Sequence, residues 1–599
     1  MPMAIRRLFD LLPNRKEQKP DRPVLVAKQD HKWRHIYITE YMEKSDLVSH
    51  AFLELGLLRN DKVAIIASNR PEWNFIDMGT QQMGGVLVPI YPTISQDDYK
   101  YILDNADVKC LVLENTEVLH RLGNIWEELP KIKQVVFIKA KNGIPRIEGC
   151  EARVCTMDDL YALGAAHPHT QQLQQLKDSI DSHDVFTMIY TSGTTGFPKG
   201  VMLSHANLIT NLEGLKMTPR PYFSRALSFL PLCHIYERMM GYLYQLLCYT
   251  IYYPESVATV VADMQVARPH MMTAVPRFIE KVYDGIFRKG EKLSGIKKKI
   301  FYWALNLGEQ YDLEGTTACY KFKHAVADKL VYKNIRAAFG NCLKIFVSGG
   351  SAVQPRLSRF FNGIGMNIYE GYGLTETAPV VAVHNSFQPG GRKLGTVGLP
   401  LPGTEVKVLA ENKEIVCRGP HVMVGYYKSP EITHQVIDKD GWFHTGDTGE
   451  FLPTGQLRIT GRLKSIFKTS MGKFVNPEAI EEKFKESPFI QDMLVVGENQ
   501  KFAAAIILPD FNTIKGWQER HTIYCSTHSE ILSDKQTLNR IQRVVDKYNK
   551  MFGTTEQIKH YKLIDDEWTE ANGCLTPTLK IKRKVVTERC RKDIDALFS

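Results

Sequence analysis

The segment that most restricts this chain is Ile189–Gly200, IYTSGTTGFPKG. Apolar residues just before it predict a strand ending there. The loop then sets Thr191, Ser192, Thr194 and Thr195 around Gly193 and Gly196, with Lys199 following. Small residues let backbone N–H groups close on phosphate oxygens; the hydroxyls add donors and the lysine a cation. The expectation is a strand–loop–helix nucleotide site. A GxxxxGK[ST] phosphate loop does not fit. Counted from Gly193, Pro198 stands where glycine is required, and Gly200 where a hydroxyl would hold Mg2+. Gly, Ser and Thr alone are common in surface loops, so the weight falls on the length of the pattern and on Lys199.

The surrounding chain alternates strands and helices. Val24–Lys28 and Trp33–Ile38 predict a hairpin, and Thr39 is the expected cap of a helix to about Leu55. Lys62–Ala67 reads as a strand, Pro71–Met83 as a helix stopped by Gly84-Gly85, and Val86–Pro89 as a strand again. The rhythm returns with Leu343–Ser348, Pro355–Asn362 and Met366–Glu370. Such alternation predicts an α/β fold with helices on the faces of a parallel sheet. A break is expected near Gly461–Lys464. Beyond it, Asn476 and Pro477 are the N-cap and first residue of a helix, NPEAIEEKF, and strands follow near Met493–Val496 and Phe502–Leu508.

Charge narrows the class only slightly. The formal net charge is +10 over 599 residues, which suits an enzyme of anionic ligands, a protein resting on an anionic membrane, or nucleic-acid binding. The basic residues read as dispersed and no nucleic-acid recognition motif accompanies them, so no nucleic-acid partner is expected. The 11 cysteines form no CxxC pair, which argues against a zinc site or disulfide framework and for a reducing cytosol. The N-terminus lacks the apolar core of a signal peptide. Met239–Tyr253 is shorter than the ~20 residues of a membrane span and reads as a buried helix running into a strand. The expected location is cytoplasmic. Phe287–Tyr302, FRKGEKLSGIKKKIFY, fits either a solvated helix face or peripheral contact with the inner face of an anionic membrane.

YTSGTTGFPKG resembles the signature loop of the AMP-forming adenylate ligases, which include acyl-CoA synthetases, luciferases and peptide-synthetase adenylation domains. Ser348-Gly349-Gly350-Ser351 after a strand, YEGYGLTET at Tyr369–Thr377, WFHTGD at Trp442–Asp447, GRLK at Gly461–Lys464 and LTPTLK at Leu575–Lys580 follow in that family's order. The resemblance implies a large N-terminal domain, residues 1–460, with stacked sheets, helices and a distorted β-barrel. It implies a hinge at 461–464 and a small mobile α+β domain, 465–599, with the active site between the two.

It also implies ATP, Mg2+ and coenzyme A. Lys199 and the loop from Thr191 to Thr195 would hold the β- and γ-phosphates, with Thr191 and Glu376 nearest the metal. Thr375 would meet the α-phosphate. Tyr372 would stack on adenine beside the Gly349-Gly350 backbone and Gly373. Asp447 would accept both ribose hydroxyls, with Arg462 in support. In the tail, Lys580 matches the family's catalytic lysine, although Leu579 precedes it where many members have glycine; Lys582 is the alternative, and Lys582, Arg583 and Lys584 otherwise read as a basic surface run. For thioester formation the small domain would rotate about Lys464, bringing Lys468 and Gly472 to the pantetheine chain. SFLPLCHIYER at Ser228–Arg238 resembles the motif bordering the acyl pocket, which would place His234 at one wall. TAVPRFIEKVY at Thr273–Tyr283 resembles the long-chain members. The implied activity is a long-chain fatty acid–CoA ligase. A related ligase of a medium-chain or aryl acid, or one using a carrier protein, stays open beside it, and a catalytically silent nucleotide binder would be expected to lack the charged site residues.

Overall fold

The computed structural model describes residues 4–29, 31–140, 143–191, 197–216, 222–386, 388–463, 465–471, 473–576 and 580–599. The chain divides into two compact units. The larger comprises Met1–Val406, Val416–His444 and Pro453–Gln456; the smaller comprises Lys407–Ile415, Thr445–Leu452 and Leu457–Ser599.

In the larger unit, the alternating apolar strands and helices pair as two mixed sheets. One runs in spatial order Gly425–Tyr426, Lys199–Ser204, Val185–Thr191, Val86–Pro89, Lys62–Ile66, Val108–Leu113, Gln134–Phe137 and Arg153–Thr156. Its strands from Val185–Thr191 to Arg153–Thr156 are parallel. The helix Pro71–Gln82 joins two of them and begins on Pro71, whose fixed φ suits a first helical turn. The other sheet runs Leu399–Pro400, Val380–Val383, Asn367–Gly373, Ile345–Ser348, Met271–Ala274, Arg225–Leu227, Thr250–Tyr253, Leu25–Gln29 and Lys32–Ile36. It is parallel from Asn367–Gly373 to Leu25–Gln29. Strands buried on both faces need the near-continuous Val, Ile, Leu and Met seen here.

The helix Ile235–Leu246 is buried at every position except Tyr236. Inside it Arg238 is ion-paired with Asp77 and donates to Thr187 Oγ1 at 2.6 Å. A buried guanidinium is tolerated only with such partners. This helix carries His234 at its N-cap, so its fixed position also fixes that residue.

The helix after the first hairpin spans Ile38–Glu54 with Tyr37, not Thr39, at its N-cap; Ile38 and Tyr41 are both fully buried, so the first turn is drawn into the core ahead of the candidate cap. The phosphate-loop region is flanked by a strand on each side, not by a strand and a helix. Val185–Thr191 and Lys199–Ser204 pair antiparallel, and the helix begins only at His205. Val201 and Leu203 alternate inward, which is strand periodicity rather than the start of a helix.

In the smaller unit, Ile490–Val496 and Ala503–Pro509 form the antiparallel pair, and Ile558–Leu563 adds in parallel to Ala503–Pro509. Helices Pro477–Phe484, Phe511–Arg520 and Lys535–Asn549 accompany this sheet. Asn476 accepts from Ala479 N, as its N-cap position requires. Arg583 does not belong to a surface run: it grips Glu481 with 2.6 and 2.8 Å contacts and donates to Val495 O at 2.6 Å. A bidentate partner for a buried carboxylate outweighed the local cluster of lysines.

Candidate active site

The strand pairing sets Thr191 opposite Lys199, so the two ends of the signature loop share one edge of the sheet. Ser192, Gly193, Thr194 and Thr195 lie outside the described residues, as do Lys464 and Gly472. On the next strand, Tyr426 faces the Lys199 ammonium with its ring at 5.3 Å and donates its hydroxyl to Glu376 Oε1 at 2.8 Å. The Glu376 backbone carbonyl accepts from Met423 N at 2.8 Å. Burial first, and the Glu376 charge second, raise the Tyr426 phenol well above its ordinary pKa, so it is a donor throughout the physiological range. A cation and a carboxylate are thereby set around one tyrosine. Thr375 beside them is buried in a short turn, Thr375–Thr377.

Tyr426 was not identified from sequence. It lies on a two-residue strand fifty positions after Glu376, and no local pattern marks it.

The glycine turn follows the strand Ile345–Ser348. A Cβ on Gly349 would come within 3.4 Å of Tyr236 Cζ, and Gly350 has φ +90°. At Gly350 the backbone conformation favours glycine, whereas at Gly349 a Cβ would make only ordinary contact. Tyr236, also unmarked in sequence, donates to Val347 O at 2.7 Å and so fits the turn against the buried helix. Tyr372 and Gly373 end the strand Asn367–Gly373 at a register shift. A Cβ on Gly373 would lie 1.6 Å from the Pro379 carbonyl oxygen, so its glycine answers to packing against Pro379. His234 accepts from Tyr236 N through Nδ1 at 3.1 Å. In the neutral ring this leaves the proton on Nε2.

Next to His234, Glu237 is fully buried. Oε2 accepts from Thr273, and among the described residues Oε1 has no partner. Burial pushes its carboxyl up to about 7, against the opposing pull of the nearby Ser228 and Thr273 hydroxyls.

The smaller unit holds a second cluster. Asp447 sits in the strand Phe443–Phe451 and is the cross-strand partner of Arg462. Their side chains pair at 3.0 Å, with Asp447 6% and Arg462 52% exposed. A buried carboxylate beside a guanidinium is a strong acceptor for hydroxyl groups. Gly461 is held against Asn476, whose Nδ2 a Cβ would approach to 2.4 Å and which donates to Thr460 O at 2.6 Å.

In the tail, Thr576 N donates to Lys580 O at 2.8 Å and Lys582 N to Cys574 O at 2.8 Å. Lys580 keeps solvent access as a residue. Protein packed around its ammonium lowers its pKa, and Arg462 adds to that; Asp447, Glu478 and Glu482 oppose it. Lys582 instead stands at the start of the helix Arg583–Arg589 and acts on Glu570 and Cys574. Of the two lysines, Lys580 is the one electrostatically coupled to the Asp447–Arg462 pair. Lys468 lies on the strand Phe467–Lys468, with its ammonium 5.6 Å from the Phe474 ring.

Among the described residues no group of three or more His, Cys, Asp or Glu side chains is arranged as a metal site. Thr191 and Glu376 are hard oxygen donors, the type that suits Mg2+ carried in largely by phosphate oxygens and water.

The sequence pattern of the AMP-binding enzyme family matches residues 12–427, and that of the AMP-binding enzyme C-terminal domain matches residues 464–599. The long-chain-fatty-acid–CoA ligase FadD15 of Mycobacterium bovis is 32% identical over 97% of this chain and 96% of its own. Human long-chain-fatty-acid–CoA ligase 6 is 29% identical over 96% of this chain and 83% of its own. Among solved structures, the adenylation domain of a carboxylate reductase from Mycobacterium chelonae aligns with TM-score 0.78 at 20% identity, covering 99% of this chain and 91% of that one. The anthranilate CoA ligase AuaEII in complex with anthranoyl-AMP aligns with TM-score 0.73 at 18% identity, covering 99% of each chain.

Proposed function

The chain belongs to the AMP-binding enzyme family, and from that membership we infer that it joins a long-chain fatty acid to coenzyme A through an acyl-adenylate. The observation that carries this reading is the end-to-end match, over 97% of the chain, to a long-chain-fatty-acid–CoA ligase.

In the first half-reaction a carboxylate oxygen of the acid attacks the α-phosphorus of ATP. The new O–P bond forms as the bond to the β-phosphate oxygen breaks, and pyrophosphate leaves. Both reactants are anions, so the residues have to offset charge and hold the leaving group. Lys199 and the loop hydroxyls are assigned to the β- and γ-phosphates, and Thr375 to the α-phosphate. Glu376 and Thr191 would help hold Mg2+, which when bound would neutralise charge on the phosphates. Tyr426 orients Glu376 for that task. Tyr372 and the Gly349-Gly350 backbone are assigned to adenine, Asp447 to the ribose hydroxyls with Arg462 in support, and His234 to the wall beside the acyl carboxylate. Lys580 bridges carboxylate and α-phosphate.

In the second half-reaction the thiol sulfur of coenzyme A attacks the acyl carbon, the acyl–oxygen bond breaks, and AMP departs. The hinge is assigned to residues 461–464, separating a large domain to residue 460 from a small domain from residue 465. Lys464 is the pivot, and Lys468 and Gly472 attend the pantetheine chain. Peripheral contact with the inner face of an anionic membrane belongs to the same reading, since long-chain acids partition into lipid.

The adenylate step is tested by pyrophosphate exchange into ATP without coenzyme A. Exchange should require the fatty acid and Mg2+ alone. Exchange that requires coenzyme A would remove the free adenylate intermediate. A medium-chain or aryl acid outperforming the long-chain acids would move the assignment to the related ligases.

A further inference from the structure

The strand Gly425–Tyr426 stands at the edge of its sheet, is two residues long and pairs with Met202 and Val201. Strands usually run roughly three to ten residues, so this one has few ladder bonds with which to fix its own place. Yet Tyr426 on it faces both Glu376 and Lys199. Contacts outside the ladder have to hold it.

The holding element is the end of the helix Gln96–Asn105. Ala106 closes that helix, and Asp107 follows with φ +54°, a left-handed conformation that aspartate tolerates better than most side chains. Its carboxylate meets the two residues just past Tyr426. Oδ2 accepts from the Tyr427 hydroxyl at 2.9 Å and pairs with the Lys428 ammonium at 2.7 Å, while Oδ1 accepts from Lys131 at 2.9 Å. Lys428 also donates to Asn105 O at 2.9 Å. Burial would raise the Asp107 carboxyl, but the hydrogen bonds of Lys428, Lys131 and Tyr427 hold it well below the usual carboxylate range, so it stays charged throughout the physiological range. The same helix end grips the chain on both sides of the signature loop. Tyr190 donates to Asn105 Oδ1 at 2.6 Å, and Phe197 stacks on Tyr101 with ring centres 4.9 Å apart.

We propose that Asp107 is a positioning residue for magnesium–ATP: through Tyr427 and Lys428 it fixes the place of Tyr426, and with it the spacing of Glu376 from Lys199. The link is short. Tyr427 is the next residue along from Tyr426, and its N–H donates at 2.8 Å to the carbonyl of Gly200, the neighbour of Lys199. A shift at Tyr427 therefore reaches the tyrosine and the lysine strand together. An exposed ion cluster that only added stability would show in unfolding and leave nucleotide affinity alone. The proposal rests on the assignment of Glu376 and Lys199 to the metal and phosphates, but nucleotide binding is read without turnover.

The test is equilibrium dialysis of the full-length protein against MgATP, without fatty acid or coenzyme A, beside its melting temperature. Asp107→Asn keeps the side-chain size and the left-handed turn and removes the charge. It should weaken MgATP binding about tenfold, the scale of one hydrogen bond to a charged group, with the KM for fatty acid unchanged. Tyr427→Phe removes a single donor from a properly folded edge and should weaken binding in the same direction by less. In a Tyr426→Phe background Asp107→Asn should add little, because the residue it acts through no longer holds Glu376. MgATP affinity unchanged in Asp107→Asn and Tyr427→Phe would overturn the proposal. So would a loss that persists in full in the Tyr426→Phe background, or an equal rise in the KM for fatty acid, which would mark general loosening. A parent that binds MgATP with this dependence on Asp107 but forms no acyl-CoA would instead remove the ligase assignment and leave the positioning role standing.

Discussion

Tyr426 gives its hydroxyl hydrogen to Glu376 at 2.8 Å and turns its ring to the Lys199 ammonium at 5.3 Å. One buried tyrosine thus sets the spacing between a carboxylate assigned to the metal and a lysine assigned to phosphates. Tyr426→Phe keeps the ring and removes the donor. A hydrogen bond to a charged group is worth about 1.5–3 kcal/mol, or roughly 10- to 100-fold. The variant should lose AMP release by about that factor and need more Mg2+ for half-maximal rate. A Mg2+ titration that superimposes on the parent's would show that Tyr426 does not orient Glu376.

Lys580 must be protonated to bridge two anions, so adenylation should fall as pH rises through its folded pKa. Surrounding protein and Arg462 hold that pKa below the ordinary lysine value, while Asp447, Glu478 and Glu482 raise it. Removing the cation by Arg462→Met should therefore move the alkaline limb of the pH–rate profile to higher pH. Asp447→Asn should move it lower, and Lys580→Met should abolish the limb with most of the rate. An alkaline limb unchanged by both neighbours would assign it to another group.

Glu237 supplies a stability prediction. Its folded pKa, about 7, lies above the reference 4.5. The fold thus prefers the protonated acid. That contribution is fully present below the unfolded value and is lost as pH climbs through the folded one. A shift of this size corresponds to about 3 kcal/mol between the two limits. Glu237→Gln should remove the dependence and melt above the parent at pH 8 but not at pH 4. Parallel melting curves for the two proteins across that range would refute the buried, proton-preferring carboxyl.

Arg583 neutralises Glu481 through two short contacts inside the smaller unit. Arg583→Ala leaves a buried carboxylate without its partner, a change that costs about 3–5 kcal/mol. Urea unfolding of the variant should show that loss, and Glu481→Gln in the same background should recover part of it. Equal stability of Arg583→Ala and the parent would return Arg583 to the exposed basic run.

The parallel sheets were legible because their strands are apolar runs bounded by Gly and Pro, as in Lys62–Ile66, Pro71–Gln82 and Val86–Pro89. Glu376, Lys199, Asp447, Arg462 and Lys580 were legible as candidates because each sits in a short recognisable string. Their surroundings were not. Tyr426 reaches Glu376 through sheet pairing across fifty residues, and Tyr236 reaches the glycine turn through helix packing. Arg583 looked like its lysine neighbours because nothing local reveals that it reaches Glu481, about a hundred residues earlier. Strand against helix after Lys199 was decided by antiparallel pairing with Val185–Thr191, a tertiary choice that overrode the expectation drawn from the loop.

The most direct test of the assigned activity is AMP and acyl-CoA formation by the purified protein with ATP, Mg2+ and a fatty acid chain-length series, with and without coenzyme A. Equal amounts of AMP and acyl-CoA, formed only when a long-chain acid and coenzyme A are both present, are predicted. ATP binding without AMP release for any acid in the series would contradict it.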